Sequence, residues 1–210
     1  MLNMKRLLSA VAIVFAASLA AQVTHQNHHP STDEYAKVLE DPERDAWQKP
    51  HEVLTALKLK STDVVADIGA GTGYFSRRLA MHAAKVYAVD IDSKLLEIAK
   101  KNLPPNVTTV LSKPHDPMLP PASVDVVFIC DVIHHIEDRV DYYHKLKPAL
   151  KPGARIVIVD FYKKQMPIGP PPEMKLSEEQ VVAELEKAGF HRTRTEHFLE
   201  YQYYLEFKAR

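Results

Sequence analysis

Cysteine is almost absent: Cys130 is the only one in 210 residues. No intramolecular disulfide can form, and no multi-cysteine metal site can exist within one chain. A surplus of either charge is missing too, since 27 lysines and arginines face 27 aspartates and glutamates. Without a one-sided basic field, nucleic acid is not an expected partner. Past the N-terminal stretch there is no apolar run of the ~20 residues that a membrane-spanning helix needs. What the chain does have is apolar material, 46% of its residues. That is enough to bury the core of one domain or at most two, and it excludes a disordered tail or a fibre.

Residues 1–21 read as an export signal. Lys5 and Arg6 precede an apolar run from Leu7 to Phe15, and Ser18-Leu19-Ala20 places small residues at the minus-three and minus-one positions of a cleavage site. Cleavage is expected after Ala20 or Ala21, leaving a periplasmic or secreted protein, off the membrane and a monomer or homodimer. Residues 22–32 carry His25, His28 and His29 ahead of Pro30. They read as a solvated linker, because three histidines without a scaffold fix no metal geometry. The domain is expected over 33–210. It opens with helical pattern from Asp33, a segment Glu43 to Gln48 ending before Pro50, and a helix from His51 to Leu59.

From Asp63 the pattern alternates. Short apolar runs at Asp63 to Asp67, Lys85 to Val89, Val107 to Leu111, Val124 to Cys130 and Arg155 to Val159 read as strands. Helical stretches fall at Tyr74 to His82, Ser93 to Asn102, Arg139 to Leu150 and Ser177 to Ala188. Continuous apolar strands such as VDVVFIC are those of a parallel sheet covered on both faces. The end differs: Thr193 to Phe198 and Tyr201 to Lys208 are separated by two residues, too few for a crossover, so they pair antiparallel. The fold class is therefore α/β, Rossmann-like, with helices on both faces of a mostly parallel sheet.

Between the first strand and its helix lies Gly69-Ala70-Gly71-Thr72-Gly73. The dinucleotide fingerprint G-x-G-x-x-G fails here, because Tyr74 stands three after Gly71. The glycines still allow a sharp bend and close approach of a ligand to a helix N-terminus. Asp90, at the end of the second strand, sits where an acid accepts the hydroxyls of a ribose.

In this order and spacing the sequence resembles the class I S-adenosylmethionine-dependent methyltransferases, most closely the small-molecule "type 11" kind, over about residues 50–208. VADIGAGTGYFSRRLA, VYAVDID, HDPMLPPASVDVVFICDVIHHIEDR and LKPGARIVIVDF carry the resemblance. It implies a seven-stranded sheet with an antiparallel last strand, S-adenosylmethionine as cofactor and a small-molecule methyl acceptor as partner. Asp67, Gly69 and Gly71 would hold the methionine part, Asp90 the ribose and Asp116 the adenine amino group. Asp131 would line the sulfonium, with Ala70, Gly73, Ile91 and His115 completing the cofactor contacts. On that basis Asp90→Ala should weaken cofactor binding by at least ~1.5 kcal/mol and leave the melting of the free protein nearly intact.

His134 and His135 follow Asp131 and are the candidate bases. His135 matches a position often held by histidine in the family, so it is the better one by resemblance. Asp138 reads as the cap of the next helix, and Cys130 as a packing residue. Metal-dependent catechol-type relatives need an acid-asparagine pair after the fifth strand. Phe161 follows Asp160 instead, so no metal site is expected. Phe161 to Lys175 is an irregular, proline-rich segment readable as a substrate lid or a rigid connector. The competing reading of the whole is an exported, non-catalytic protein of this fold that binds a nucleoside-type ligand or a metal.

Overall fold

The computed structural model describes residues 31–210, so the expected signal peptide and most of the expected linker lie outside the described residues. Helix α1 (Thr32–Leu39) starts one residue before the expected Asp33 because Ser31 and Glu34 form a capping box, each side chain serving the other's backbone N–H. Helices α2 (Arg44–Gln48) and α3 (Pro50–Leu57) are separated by Lys49, whose left-handed φ of 46° breaks the run. Proline then opens α3, where its missing N–H would have had no partner.

Strands β1 (Val64–Ile68), β2 (Lys85–Asp90), β3 (Val107–Leu111), β4 (Val124–Cys130) and β5 (Leu150–Phe161) pair in parallel. Strands β6 (Phe190–Glu196) and β7 (Gln202–Ala209) complete one seven-stranded sheet in the order β3-β2-β1-β4-β5-β7-β6, with β7 antiparallel to both β5 and β6. Helices α4 (Tyr74–Leu79), α5 (Ser93–Lys100), α6 (Arg139–Leu146) and α7 (Glu178–Lys187) fill the connections. This is the expected α/β architecture.

Alternate strand residues feed two cores. Ala66, Ile129, Ile156 and Ile158 pack with Tyr143, Leu146, Val181 and Leu185 of α6 and α7. Val65, Phe128 and Val157 face the other way onto Val53, Leu57, Phe75 and Leu79 of α3 and α4. A period-2 chain buried on both sides forces this division, and it explains why the strands read as unbroken apolar runs.

Two expectations need correction. The last hairpin is displaced: its first strand begins at Phe190, directly after Gly189 at φ 85°, and ends at Glu196. His197 and Phe198, expected in the strand, leave the ladder. Leu199 is buried in the second core with Phe198 packed beside it. Asp138 does not cap α6 with its side chain; it stands at φ 44° and makes no side-chain cap bond. Its backbone carbonyl accepts the Tyr142 amide instead.

Candidate active site

The strand order reverses between β1 and β4, and open α/β sheets bind ligands at the carboxyl ends of the strands flanking such a point. There the glycine turn folds onto β2, the amides of Gly69 and Ala70 donating to the Val89 carbonyl at 2.8 and 3.0 Å. Gly69 has φ +73°, and a Cβ there would stand 2.2 Å from Val132 Cγ2. The Gly71 amide donates to Asp90 Oδ2 at 2.7 Å, while Asp90 Oδ1 accepts the Asp92 amide at 2.9 Å. Asp90 thus braces the turn from β2, which the sequence reading did not foresee; its removal costs stability as well as any ligand contact. Gly73 closes the turn onto the Ala70 carbonyl and leads into α4. Asp67 lies beneath, 3% exposed, accepting the Ser76 hydroxyl at 2.6 Å. Burial pushes its carboxyl up to about 7, against the Ser76 bond, with the Asp90 charge adding. Burial raises Asp90 as well, against its backbone bonds.

Asp131 follows β4 at φ +59°, a left-handed conformation that an aspartate tolerates and that concentrates at functional sites. Gln202 Nε2 donates to one carboxylate oxygen, and Arg44 lies 3.3 Å from the other. Gln48 bonds Gln202 Oε1 at 2.8 Å and reaches the Cys130 sulfur at 3.4 Å. Arg44 binds Gln48 and lies over the Tyr74 ring, 4.1 Å from its centroid. This buried network joins the N-terminal helices to the last strand beneath Asp131. Burial pushes Asp131 up to about 7; Arg44 opposes, Asp160 adds. Burial also raises the Cys130 thiol, in keeping with a packing role.

The two histidines part company. The His134 side chain is only 3% exposed, and its Nδ1 lies 3.0 Å from both oxygens of Asp160, buried next to last in β5. His135 is exposed, its ring tilted 46° to that of His134 at 4.2 Å between centroids, and forms no such pair.

Asp116 lies on the β3 side, its Oδ1 accepting the Met118 amide at 2.8 Å. It and Asp90 both face the buried Tyr142 phenol, which burial first and these two charges next push up. Ile91 and His115 are exposed beside this end of the crevice. Across the top runs α1. Tyr35 of α1 is 41% exposed, and its phenol is raised by partial burial and then by Asp90, with Arg44 opposing and Asp131 adding. Leu39 Cδ1 lies 2.9 Å from where a Gly71 Cβ would be. Glu40, just past α1, accepts the Thr72 hydroxyl at 2.5 Å and pairs with Arg77 at 2.7 Å.

Tyr35, Arg44, Gln202 and Tyr142 were not read as site residues from the sequence. Arg44 and Gln48 lie one helical turn apart, and only the fold shows that both are buried. The segment after Phe161 is pinned rather than free: Lys175 is buried and donates to the Lys164 carbonyl at 3.0 Å. Among the described residues, no group of three or more His, Cys, Asp or Glu side chains is placed to hold a metal ion.

A family model described as "Methyltransferase domain" matches residues 66–158. A crystal structure of an S-adenosylmethionine-dependent methyltransferase from Aquifex aeolicus is 29% identical, with TM-score 0.78, covering 85% of this chain and 98% of that one. The 27-O-demethylrifamycin SV methyltransferase of Amycolatopsis mediterranei is 28% identical over 160 residues, 73% of this chain and 58% of that protein. The mitochondrial ubiquinone biosynthesis O-methyltransferase of Schizosaccharomyces pombe is 33% identical over 99 residues, 45% of this chain and 36% of that protein. The chain therefore spans well under two thirds of the length of several curated relatives it matches. Residues 66–158 thus match a methyltransferase domain, and the chain has the fold of an S-adenosylmethionine-dependent methyltransferase.

The crevice fits that cofactor on its own chemistry. Asp67, Asp90 and Asp131 are three buried or nearly buried carboxylates, and Arg44 pairs with only one of them, Asp131. Such an excess of acid favours a ligand carrying positive charge, and S-adenosylmethionine brings a sulfonium and an ammonium. When bound it supplies a methyl group already activated as an electrophile. The residues present would hold its polar groups and keep the reacting atoms from water.

Proposed function

We propose that the protein transfers a methyl group from S-adenosylmethionine to a small-molecule acceptor. The observation that carries this is the crevice at the switch point, where Asp90 braces a glycine turn whose Gly69 admits no side chain and where Asp67 and Asp131 lie at the ends of the two strands flanking it. The names of relatives that act on rifamycin and ubiquinone precursors support a small acceptor. The export reading of residues 1–21 belongs to the same proposal, and N-terminal sequencing of the mature protein tests it. A start after residue 20 or 21 is expected, and an intact Met1 would remove it.

The cofactor reading is tested by calorimetric titration of the mature chain with S-adenosylmethionine and S-adenosylhomocysteine, each with and without chelator. Both are expected to bind, with no effect of the chelator, and absence of any heat from either would overturn the reading. A pH signature should accompany the first. Free Asp67 and Asp131 have carboxyls near 7, so near pH 6.5 both hold substantial proton occupancy. A cation seated beside them lowers both, so binding releases protons there, and the release fades toward pH 8, where they are already ionised. Titration in buffers of different ionisation enthalpy reads this directly. S-adenosylmethionine should release more protons than S-adenosylhomocysteine, which lacks the sulfonium charge. Equal release would separate Asp131 from the sulfonium.

A further inference from the structure

Of the two adjacent histidines, the fold gives a carboxylate to only one. Asp160 is the next-to-last residue of β5, 1% exposed, and its Oδ1 also accepts the Phe161 amide at 2.7 Å, which fixes the carboxylate plane. His134 sits on the short 3-10 turn after β4 with Nδ1 3.0 Å from both Asp160 oxygens. A carboxylate can only accept, so Nδ1 carries the hydrogen and Nε2 is left with its lone pair. No protein partner for Nε2 occurs among the described residues. We propose that Asp160 is the positioning residue that makes His134, through Nε2, the base of the methyl transfer, in place of His135. This rests on the methyltransferase reading above and assigns the proton in it.

The surroundings of His134 agree. Burial acts to lower the imidazole, but the bond and charge of Asp160 outweigh it, with Asp131 beyond β4 adding and Lys175 from the pinned loop opposing. The net direction is upward. His135 goes the other way, lowered by partial burial and then by His134, with Asp160 opposing. The phenols of Tyr143 and Tyr203 lie buried behind Asp160 without partners, so the carboxylate is screened from water on that side. For a hydroxyl acceptor, the O–H bond breaks and its proton passes to Nε2. The oxygen's electron pair forms the new bond to the methyl carbon as the carbon–sulfur pair returns to sulfur. Asp160 then faces an imidazolium, whose charge it offsets without taking the proton, the role a buried carboxylate plays behind a catalytic histidine. A hydroxyl gains most from such a base, because neutral oxygen is a poor nucleophile.

Nitrogen-15 NMR of the histidine rings in the full mature protein tests this without any acceptor. In the wild type, neutral His134 is expected as the Nδ1–H tautomer, the minor one in free imidazole, titrating above the ordinary value of about 6.5. His135 is expected below it. Asp160→Asn keeps the shape and the Phe161 contact but removes the charge, so the His134 titration falls. Addition of S-adenosylhomocysteine should move the His134 resonances. A His134 found as Nε2–H, or unmoved by Asp160→Asn, would overturn the dyad. S-adenosylhomocysteine that binds by calorimetry yet moves only His135 would return the base to His135. Absence of binding heat would instead count against the methyltransferase reading, leaving the tautomer and titration results to judge the dyad by themselves.

Discussion

Gly69→Ala is expected to destabilise the free protein by about 3 kcal/mol, the largest effect of any single methyl group in the glycine turn. Two costs combine. A residue with a Cβ at left-handed φ costs roughly 1–2 kcal/mol, and Gly69 is at +73°. The added carbon would also stand 2.2, 2.7 and 2.9 Å from three atoms of Val132, closer than real contacts allow. Forcing an extra methyl into a packed site costs typically about 1–3 kcal/mol. For a domain of this size that corresponds to a fall in Tm of roughly 6–12 °C, measurable by calorimetry or circular dichroism. The partition is testable: Val132→Ala in the same chain removes the two closest contacts, those of Cγ2 and Cγ1, but neither the Cβ contact at 2.9 Å nor the backbone strain, so the double variant should regain less than half. A Gly69→Ala protein that melts with the wild type would show that the turn is not held in this conformation. Because Val132 follows Asp131 directly, the substitution should also disturb Asp131 and weaken S-adenosylhomocysteine binding.

Asp90→Ala should cost on two separate readouts. In the free protein it strands the Gly71 amide, now bonded at 2.7 Å, and frees the Asp92 amide, bonded at 2.9 Å. A buried donor left without its acceptor costs about 1–3 kcal/mol, so Tm falls. In the complex, loss of a charge-assisted bond to a ribose hydroxyl, worth about 1.5–3 kcal/mol, weakens S-adenosylmethionine binding roughly 10- to 150-fold. Asp90→Asn retains one acceptor oxygen and should fall between on both. Intact binding in a destabilised Asp90→Ala protein would leave Asp90 as a brace of the turn alone. Intact melting with weakened binding would instead mean that the Gly71 bond contributes little.

Much of this was legible in the sequence, and for identifiable reasons. Strands buried on both faces must be apolar throughout, so VVADI, VDVVFIC and RIVIVD announce themselves. Glycine is required where Gly69 meets Val132 and where Gly71 lies under Leu39, so the turn stands out as well. Asp67, Asp90 and Asp131 are visible because each ends or follows a strand whose direction is fixed. The hairpin's first strand was placed too far along because Phe198 is apolar for the sake of the core rather than of a ladder. The local pattern cannot separate those two reasons for burial.

What the sequence determined by itself was the order of the elements, the sheet's parallel character and the acids at its carboxyl edge, all of which follow from short-range periodicity. Tertiary structure decided which groups share an environment. Arg44 and Asp131 are 87 positions apart, and Gln48 and Gln202 are 154 apart, yet both pairs are in contact. Strand order likewise put Asp160 of β5 against His134 rather than its neighbour His135, which the resemblance had favoured. Side-chain pairings across adjacent parallel strands depend on register and on the turn that follows each strand. Neither leaves a mark in the composition of the segments involved, so the choice between two consecutive histidines could only be read from the fold.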